Sequence, residues 1–211
     1  MTITKYPHAC LVIEEQGSQL IVDPGSFSTY DLPDPTNPCA VVITHAHPDH
    51  IDEAWLVSFQ ASHPTAPIYS IQEVADTYPS ITFEVVDQDQ AIKIDQFTID
   101  CWLTDHAIIH PDYPKFKNMA IMVNDDLYYP GDSLYKPDKT VITLACPTSG
   151  PWLITQKMIN FIISLSPSKV FSTHDALYSD VGFQIQNTWA ERACDKANAK
   201  WQFIKAGEQL S

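Results

Sequence analysis

The chain has 211 residues, 45% of them hydrophobic, which is enough to bury one sizeable core and predicts a single domain over residues 1–211. A formal net charge of −14, with one arginine at position 192, argues against nucleic-acid binding, because neutralising phosphates requires a basic face. The apolar runs are far shorter than the roughly 20 residues of a membrane helix. The N-terminus lacks a signal-peptide pattern and the five cysteines are widely spaced, so we expect a reduced, cytoplasmic protein without membrane attachment.

The first half of the chain is predicted to consist mainly of short strands. Residues 12–13 and 20–22 flank a polar turn and predict a hairpin, and the apolar run over 40–44 predicts a strand covered on both faces. The remaining predicted elements of this half are helices over 52–61 and 72–78 and strands over 68–70, 81–86, 91–94 and 97–103.

The second half begins with a predicted hairpin over 118–123 and 127–129, joined by an Asn-Asp-Asp turn. A strand over 141–145 precedes a helix over 151–165, whose apolar residues recur at helical spacing. Then follow a strand over 169–172, a helix over 180–199 and a final strand over 201–204. Two strand-rich halves, each ending in helix, predict an α+β protein with a four-layer αββα sandwich.

The segment Thr-His-Ala-His-Pro-Asp-His at positions 44–50 directly follows the strand predicted over 40–44. Residues two apart in an extended chain point the same way, so His45 and His47 can bind one metal ion. Asp49 and His50 lie beyond a proline and can reach a second ion. The spacing therefore predicts a site for two metals.

A purely structural interpretation of this segment makes Asp49 the N-cap of a helix that begins near Ile51. Capping leaves His45, His47 and His50 unexplained, and desolvating three imidazoles without a common ligand would be costly. The metal-site interpretation is therefore preferred.

The pattern of His45, His47, Asp49 and His50 resembles the His-x-His-x-Asp-His signature of the metallo-β-lactamase superfamily. The other motifs of that family follow in the expected order, at residues 21–25, 105–106, 129–133 and 172–175. Residues 8–13 and the position of Asp132 most resemble the small cytoplasmic hydrolases of the ascorbate-phosphate lactonase-like branch. The resemblance implies the same αββα fold and a hydrolytic reaction.

The resemblance also implies roles for residues outside the signature. The family's equivalent of Asp23 supports a metal-binding histidine by a hydrogen bond, although the Pro-Gly pair that follows also suits an aspartate that only shapes a turn. In the family, the equivalent of Asp132 bridges both ions, and the resemblance implies that His174 completes the second one. The implied ligands are His45, His47 and His106 for one ion and Asp49, His50 and His174 for the other, with Asp132 between them.

Some site assignments stay open at this level. His106 ends a predicted strand, as a ligand should, whereas His110 lies four residues later beside a proline and could be a ligand, a substrate contact or a loop residue, so His106 is preferred. His8 is either near the inner wall of the site or an ordinary core histidine. Further candidates for substrate contact, without a strong spacing argument, are Ser133, Trp152 and Tyr178.

Two close divalent cations lower the pKa of a bridging water toward neutrality and polarise a carbonyl or phosphoryl oxygen. Zinc suits imidazole-rich coordination and is the default, but manganese and iron use the same residue types. Asp49 is expected to move a proton between the nucleophile and the leaving group. We therefore expect hydrolysis of a small ester, lactone or phosphodiester, and the alternative is a metal-bearing binding or sensing protein without turnover.

The expected partner is a small-molecule substrate. Four lysines bracket the third and fourth metal motifs, namely Lys115, Lys117, Lys136 and Lys139. One interpretation is an anionic substrate held by these lysines, and the other is that they are solvated loop residues.

Overall fold

The computed structural model describes residues 1–32 and 34–210 and contains two sheets. The first sheet has six strands, which lie side by side in chain order: β1 (Thr2–Lys5), β2 (Leu11–Glu15), β3 (Ser18–Val22), β4 (Pro38–Val42), β5 (Ile68–Ser70) and β6 (Glu84–Val85). The strands from β1 to β3 are antiparallel, and those from β3 to β6 are parallel.

The second sheet has seven strands: β7 (Gln90–Ile94), β8 (Phe97–Asp105), β9 (Lys117–Val123), β10 (Leu127–Tyr129), β11 (Thr143–Pro147), β12 (Lys169–Thr173) and β13 (Lys200–Trp201). Its order runs from β13 through β12, β11, β10, β9 and β8 to β7. The strands from β7 to β10 are antiparallel, and those from β10 to β13 are parallel.

Four helices cover the outer faces of the two sheets: α1 (Glu53–Ser62), α2 (Gln72–Thr77), α3 (Thr155–Leu165) and α4 (Asp180–Ala197). Strand β9 shows the layering, because successive side chains of a strand point to opposite faces. Met119 and Ile121 pack in the core shared with the first sheet, and Ala120 and Met122 pack in the core beneath α3 and α4. The predicted four-layer αββα sandwich is confirmed.

The elements differ from the prediction mainly at their ends. Strand β1 was not predicted, and β6 has two residues where six were expected. Strand β4 stops at Val42 instead of position 44, and the backbone N–H of Thr44 donates to the Asp23 carboxylate instead of to a neighbouring strand. Helix α3 begins at Thr155 instead of position 151, and Ile154 is its N-cap. Among the described residues, no helix is long and apolar enough to cross a membrane.

Candidate metal centre

The predicted metal ligands follow strands whose carboxyl ends meet at one edge of the sandwich, between the two sheets. Segments at strand ends commonly carry functional side chains, because a rigid sheet positions them while leaving them accessible. Asp23 follows β3, residues 45–50 follow β4, His106 follows β8, Asp132 follows β10 and His174 follows β12.

Two groups of four side chains offer ligand atoms that all lie within 4.8 Å of one another. One group is His45, His47, His106 and Asp132, and the other is His8, Asp49, His50 and His174. Asp132 also reaches the second group, because its Oδ1 lies 3.2 Å from His50 Nε2 and its Oδ2 lies 3.1 Å from His174 Nε2. The structure thus brings together all seven predicted ligands, with Asp132 between the groups.

Buried ligand atoms without hydrogen-bond partners show that these residues fit metal ions. Within the described residues, such atoms include His50 Nε2, His106 Nε2, Asp132 Oδ1 and both ring nitrogens of His174. Each unsatisfied buried polar group costs about 1–3 kcal/mol. Divalent cations would satisfy them together, and imidazole and carboxylate are suitable donors for zinc, manganese or iron.

Asp23 fixes the ring of His50. Its buried carboxylate accepts hydrogen bonds from the Thr44 backbone N–H at 2.8 Å, the Thr44 hydroxyl at 2.7 Å and the Tyr129 hydroxyl at 2.8 Å. Asp23 Oδ2 also lies 2.7 Å from His50 Nδ1, which is the donor because an ionised carboxylate can only accept. Nδ1 therefore carries a proton, and Nε2 is the ring nitrogen that faces the centre. Burial lowers the pKa of His50, but the Asp132 and Asp23 carboxylates outweigh burial and raise that pKa well above its ordinary value, so a cation at Nε2 would replace a proton.

Two further histidines have the same tautomer. The Thr44 hydroxyl donates to Asp23 and so accepts from His45 Nδ1 at 3.0 Å, which leaves the lone pair on His45 Nε2. His106 Nδ1 donates to the Ala107 carbonyl at 2.6 Å, so its Nε2 is the ring nitrogen that faces the centre. Burial, together with the neighbouring His50, holds the pKa of His45 well below its usual range, so this ring is neutral. Neutral imidazole is the form that binds metal.

His8 belongs to the second group but has a different tautomer. Its Nδ1 accepts a hydrogen bond from the Ala176 backbone N–H at 3.3 Å, so the proton of the neutral ring is on Nε2. This Nε2 donates to Asp49 Oδ2 at 3.0 Å. His8 is fully buried and has a φ of +64°, a left-handed conformation that is uncommon for histidine. Its donor therefore faces Asp49, and no ring lone pair faces the centre.

The Asp49 carboxylate points into the second group and does not cap a helix. The N-cap of α1 is Asp52, whose side chain accepts a hydrogen bond from the Trp55 backbone N–H at 3.0 Å. Burial raises the pKa of Asp49, but the adjacent rings of His174, His8 and His50 outweigh burial and hold that pKa below its ordinary value. The capping interpretation of Asp49 is therefore wrong, and Asp49 is ionised at neutral pH.

Trp152 and Asn118 position Asp132. The indole N–H of Trp152 donates to Asp132 Oδ2 at 2.8 Å, and the Asp132 backbone N–H donates to Asn118 Oδ1 at 3.0 Å. Gly131 has a φ of +58°, and a Cβ there would lie 2.4 Å from Asn118 Oδ1, so this position requires glycine. Trp152 was considered as a substrate contact, and the structure places its indole N–H on a predicted metal ligand.

The other candidate residues lie outside the two groups. His110 is exposed, and its Nδ1 lies 3.8 Å from Asp112 Oδ2. The Ser133 hydroxyl donates to the Pro130 carbonyl at 2.9 Å, and the Tyr178 hydroxyl donates to the Thr148 carbonyl. His106 thus belongs to the first metal group and His110 does not. The Ser133 and Tyr178 hydroxyls both donate to carbonyl groups of the protein itself.

Three of the four lysines near the predicted motifs contact the protein itself. Lys117 pairs with Asp105 at 2.7 Å, and Lys139 lies 2.7 Å from both Asp100 and Asp125. Lys136 donates to the Ser164 carbonyl at 2.6 Å. These contacts argue against the interpretation in which the lysines hold an anionic substrate.

The sequence analysis did not identify Thr44, Tyr129 or Asn118 as supporting residues. Thr44 directly precedes the histidine motif, and a polar residue at the end of an apolar strand could have indicated its role. Tyr129 and Asn118 act on residues that are 106 and 14 positions away, respectively, and no local pattern indicates such contacts.

A four-layer αββα sandwich with histidine and aspartate groups at the edge between its sheets defines the metallo-β-lactamase class of metal-dependent hydrolases. A family model described as the β-lactamase superfamily domain matches residues 2–174. Protein Rv0786c of Mycobacterium tuberculosis is 30% identical over 182 residues, which are 84% of this chain and 85% of that protein. The chain therefore belongs to the β-lactamase superfamily.

Two solved structures show the same fold at low sequence identity. Igni18, described as a metallo hydrolase from the archaeon Ignicoccus hospitalis, has a TM-score of 0.74 and 19% identity, with 99% of this chain and 97% of that chain covered. CmlA, a diiron β-hydroxylase from Streptomyces venezuelae, has a TM-score of 0.71 and 14% identity. The match to CmlA covers 99% of this chain and 53% of that chain.

We predict that Asp23→Asn lowers metal affinity about 10- to 100-fold, the usual effect of losing a residue that supports a metal ligand. The amide would present a donor where His50 Nδ1 also donates. Metal affinity is measured by competition with a chromophoric chelator. Tyr129→Phe is the control, because it removes one donor to Asp23 and keeps the contact with His50. Equal affinities for Asp23→Asn and the wild type would contradict this role.

His106→Ala is predicted to lower metal content and abolish turnover, whereas His110→Ala leaves most of the metal in place. The reason is that His106 lies buried in the first group and His110 is exposed. Elemental analysis of the two purified variants measures the difference. Equal metal loss, or greater loss in His110→Ala, would show that the assignment is wrong.

Proposed function

We propose that this protein hydrolyses a small ester, lactone or phosphodiester with two divalent metal ions. The observation that carries the proposal is the common orientation of the Nε2 atoms of His45, His50 and His106 toward the centre, each set by a hydrogen bond at Nδ1. A purely structural cluster has no need for buried imidazole nitrogens directed at one another.

When bound, the two ions would supply an activated water at neutral pH and would polarise the oxygen of the scissile group. The residues that would hold them are His45, His47 and His106 on one side and Asp49, His50 and His174 on the other, with Asp132 shared. Trp152 keeps Asp132 Oδ2 in place, so the shared carboxylate does not have to reorient during the reaction.

Asp49 is suited to accept the proton of the attacking water. Its side chain is 21% exposed, whereas those of Asp23 and Asp132 are almost completely buried, so Asp49 is the carboxylate of the three that solvent and substrate can reach. His8 donates to Asp49 Oδ2 and thereby fixes the carboxylate orientation. A positioned base of this kind typically contributes about 10²–10⁴-fold to a rate.

The metal, the branch of the family and the cellular compartment are further parts of the proposal. Zinc is the default metal, and manganese or iron would fit the same ligands. A relation to the ascorbate-phosphate lactonase-like branch is supported by residues 8–13, which place His8 beside Asp49. A cytoplasmic location is supported by five free, buried cysteines, because reduced thiols are usual in that compartment.

The proposal predicts that the protein, reconstituted with metal, binds about two ions and turns over generic esters, lactones or bis-p-nitrophenyl phosphate. Seven ligands exceed the four of a tetrahedral zinc. Elemental analysis and chromogenic assays measure stoichiometry and turnover. Two bound ions with no turnover of any of these substrates would favour the alternative, a metal-bearing binding or sensing protein. One ion or fewer would contradict the dinuclear centre.

Asp49→Asn is predicted to keep a folded protein and to lower kcat about 10²- to 10⁴-fold, with a smaller effect on KM. The amide is nearly isosteric but accepts no proton and is a poor ligand. Asp52→Asn is the matched control three residues later, because asparagine caps a helix as well as aspartate does. Steady-state kinetics of both variants test this role of Asp49. A wild-type kcat in Asp49→Asn would refute the mechanism.

A further inference from the structure

The loops around the metal centre expose several large apolar side chains. We define the apolar rim as Phe27, Ile108, Ile109 and Leu177, whose exposed fractions are 41%, 56%, 43% and 55%. Scattered apolar residues are normal on protein surfaces, but a group beside a functional site often marks a binding surface. Whether the rim is a binding surface therefore depends on where each of its residues lies relative to the metal centre.

Phe27 lies directly against the second metal group. Its ring centroid is 5.1 Å from that of His8, which donates to Asp49. The loop that carries Phe27 packs on the metal-binding loop, because the backbone N–H of Ser26 donates to the Pro48 carbonyl at 2.8 Å. A Cβ at Gly25 would lie 2.0 Å from the Asp49 carbonyl oxygen. Phe27 is thus held at the entrance to the centre by tight backbone packing.

Ile108 and Ile109 lie on a loop that begins and ends at the first metal group. The His106 backbone N–H donates to the Phe116 carbonyl at 2.9 Å, and the Phe116 ring packs on His47 at a centroid distance of 4.4 Å. Ile108 and Ile109 line a small cavity together with His106 and Phe116. These two side chains therefore lie beside the first metal group, whereas Phe27 lies beside the second.

Leu177 belongs to the loop between β12 and α4. The neighbouring Ala176 donates its backbone N–H to His8, and His174 lies three positions earlier. All rim residues are thus on loops tied by hydrogen bonds or ring contacts to residues of the metal groups. Four apolar side chains on three such loops indicate that the bound molecule has an apolar surface.

The charges around the centre favour an uncharged molecule. Lys117 is paired with a carboxylate, and Lys5 lies buried within 2.8 Å of Asp175. The exposed cations with which an anion could pair are Lys115, on the loop of Ile108 and Ile109, and Lys205, which lines a cavity together with His8. The chain as a whole has a net charge of −14, which disfavours the approach of anions.

From this arrangement we infer that the substrate is uncharged and has an apolar group that packs on the apolar rim while its scissile group reaches the metals. This inference rests on the proposed hydrolytic function and narrows its substrate to an ester or lactone, because a phosphodiester is anionic at neutral pH. Burying a methylene group contributes about 0.8 kcal/mol, so each one that reaches the rim should tighten binding by about two- to fourfold.

The test uses a series of alkyl hydroxamic acids, from acetohydroxamic to hexanohydroxamic acid, titrated calorimetrically into the metal-loaded protein. The hydroxamate chelates metal, and the alkyl tail probes the rim. We expect the Kd to fall about two- to fourfold per methylene in the wild type. In Ile109→Ser and Leu177→Ser the dependence on chain length should flatten, while the Kd of acetohydroxamic acid stays unchanged.

Ile142→Ser is the matched control, because Ile142 is 44% exposed, like Ile109, but precedes β11 at the opposite edge of the sheet. This variant should keep the wild-type dependence on chain length. A second probe is succinic monohydroxamic acid, whose tail ends in a carboxylate. It should bind more weakly than butyrohydroxamic acid, and Lys115→Ala should change neither Kd.

Each contrary outcome has a distinct meaning. If acetohydroxamic acid binds but the wild-type Kd does not depend on chain length, the inference is overturned and the metal centre is not affected. Light scattering would then show whether a second copy of the protein covers the rim. Tighter binding of the succinic probe, lost in Lys115→Ala, would overturn it in favour of an anionic substrate. Failure of the protein to take up metal in the loading step would refute the metal centre itself, and with it the inference.

Discussion

The fully buried carboxylate of Asp23 is the constraint on which the rest of the centre depends. It accepts hydrogen bonds from the backbone and hydroxyl of Thr44, from the hydroxyl of Tyr129 and from the ring of His50. Burying a carboxylate is costly unless every lone pair is satisfied, and here four donors satisfy it. These donors come from both sheets, because Thr44 follows β4 and Tyr129 ends β10. The same interaction therefore joins the sheets and sets the tautomers of two histidines.

The tautomers of the histidine rings are set mainly by contacts outside the two metal groups. His45 and His50 depend on Asp23, directly or through Thr44, and His106 depends on a backbone carbonyl. His8 differs, because the Ala176 backbone N–H donates to its Nδ1, so the proton of the ring is on Nε2, which is a donor instead of a metal ligand. Identical side chains in one cluster thus have different chemistry, and the difference lies in the partner of Nδ1.

The sequence predicted the fold well, and it also identified the histidines and aspartates that the structure brings together, because both signals are local. Apolar runs identified most strands, and the spacing of His45, His47, Asp49 and His50 reports directly on which way each side chain points. Strand β1 was missed because its four residues alternate polar and apolar over too short a stretch to be distinguished. Strand β6 was overestimated, since only two residues of that segment pair with β5.

What the sequence could not predict are contacts between distant segments. The role of His8 depends on Ala176, which is 168 positions away, and that of Asp23 depends on Tyr129, which is 106 positions away. The role of Trp152 could not be predicted either, because nothing near it in the chain indicates a hydrogen bond to Asp132. A single sequence contains no local pattern for such pairs, so they remained open until the fold placed them side by side.

The placement of the two groups has a consequence for folding. Their members come from five segments that begin at residue 8 and end at residue 174, on both sheets. Ions bound there would act as cross-links between the two halves of the sandwich, and binding free energy gained only in the native state adds to its stability. Without ions, the imidazoles and carboxylates would remain as buried polar groups at the junction of the sheets, where desolvation is unfavourable. A chelator should thus act on this protein partly as a denaturant, and metal supply should influence how much folded protein a cell retains.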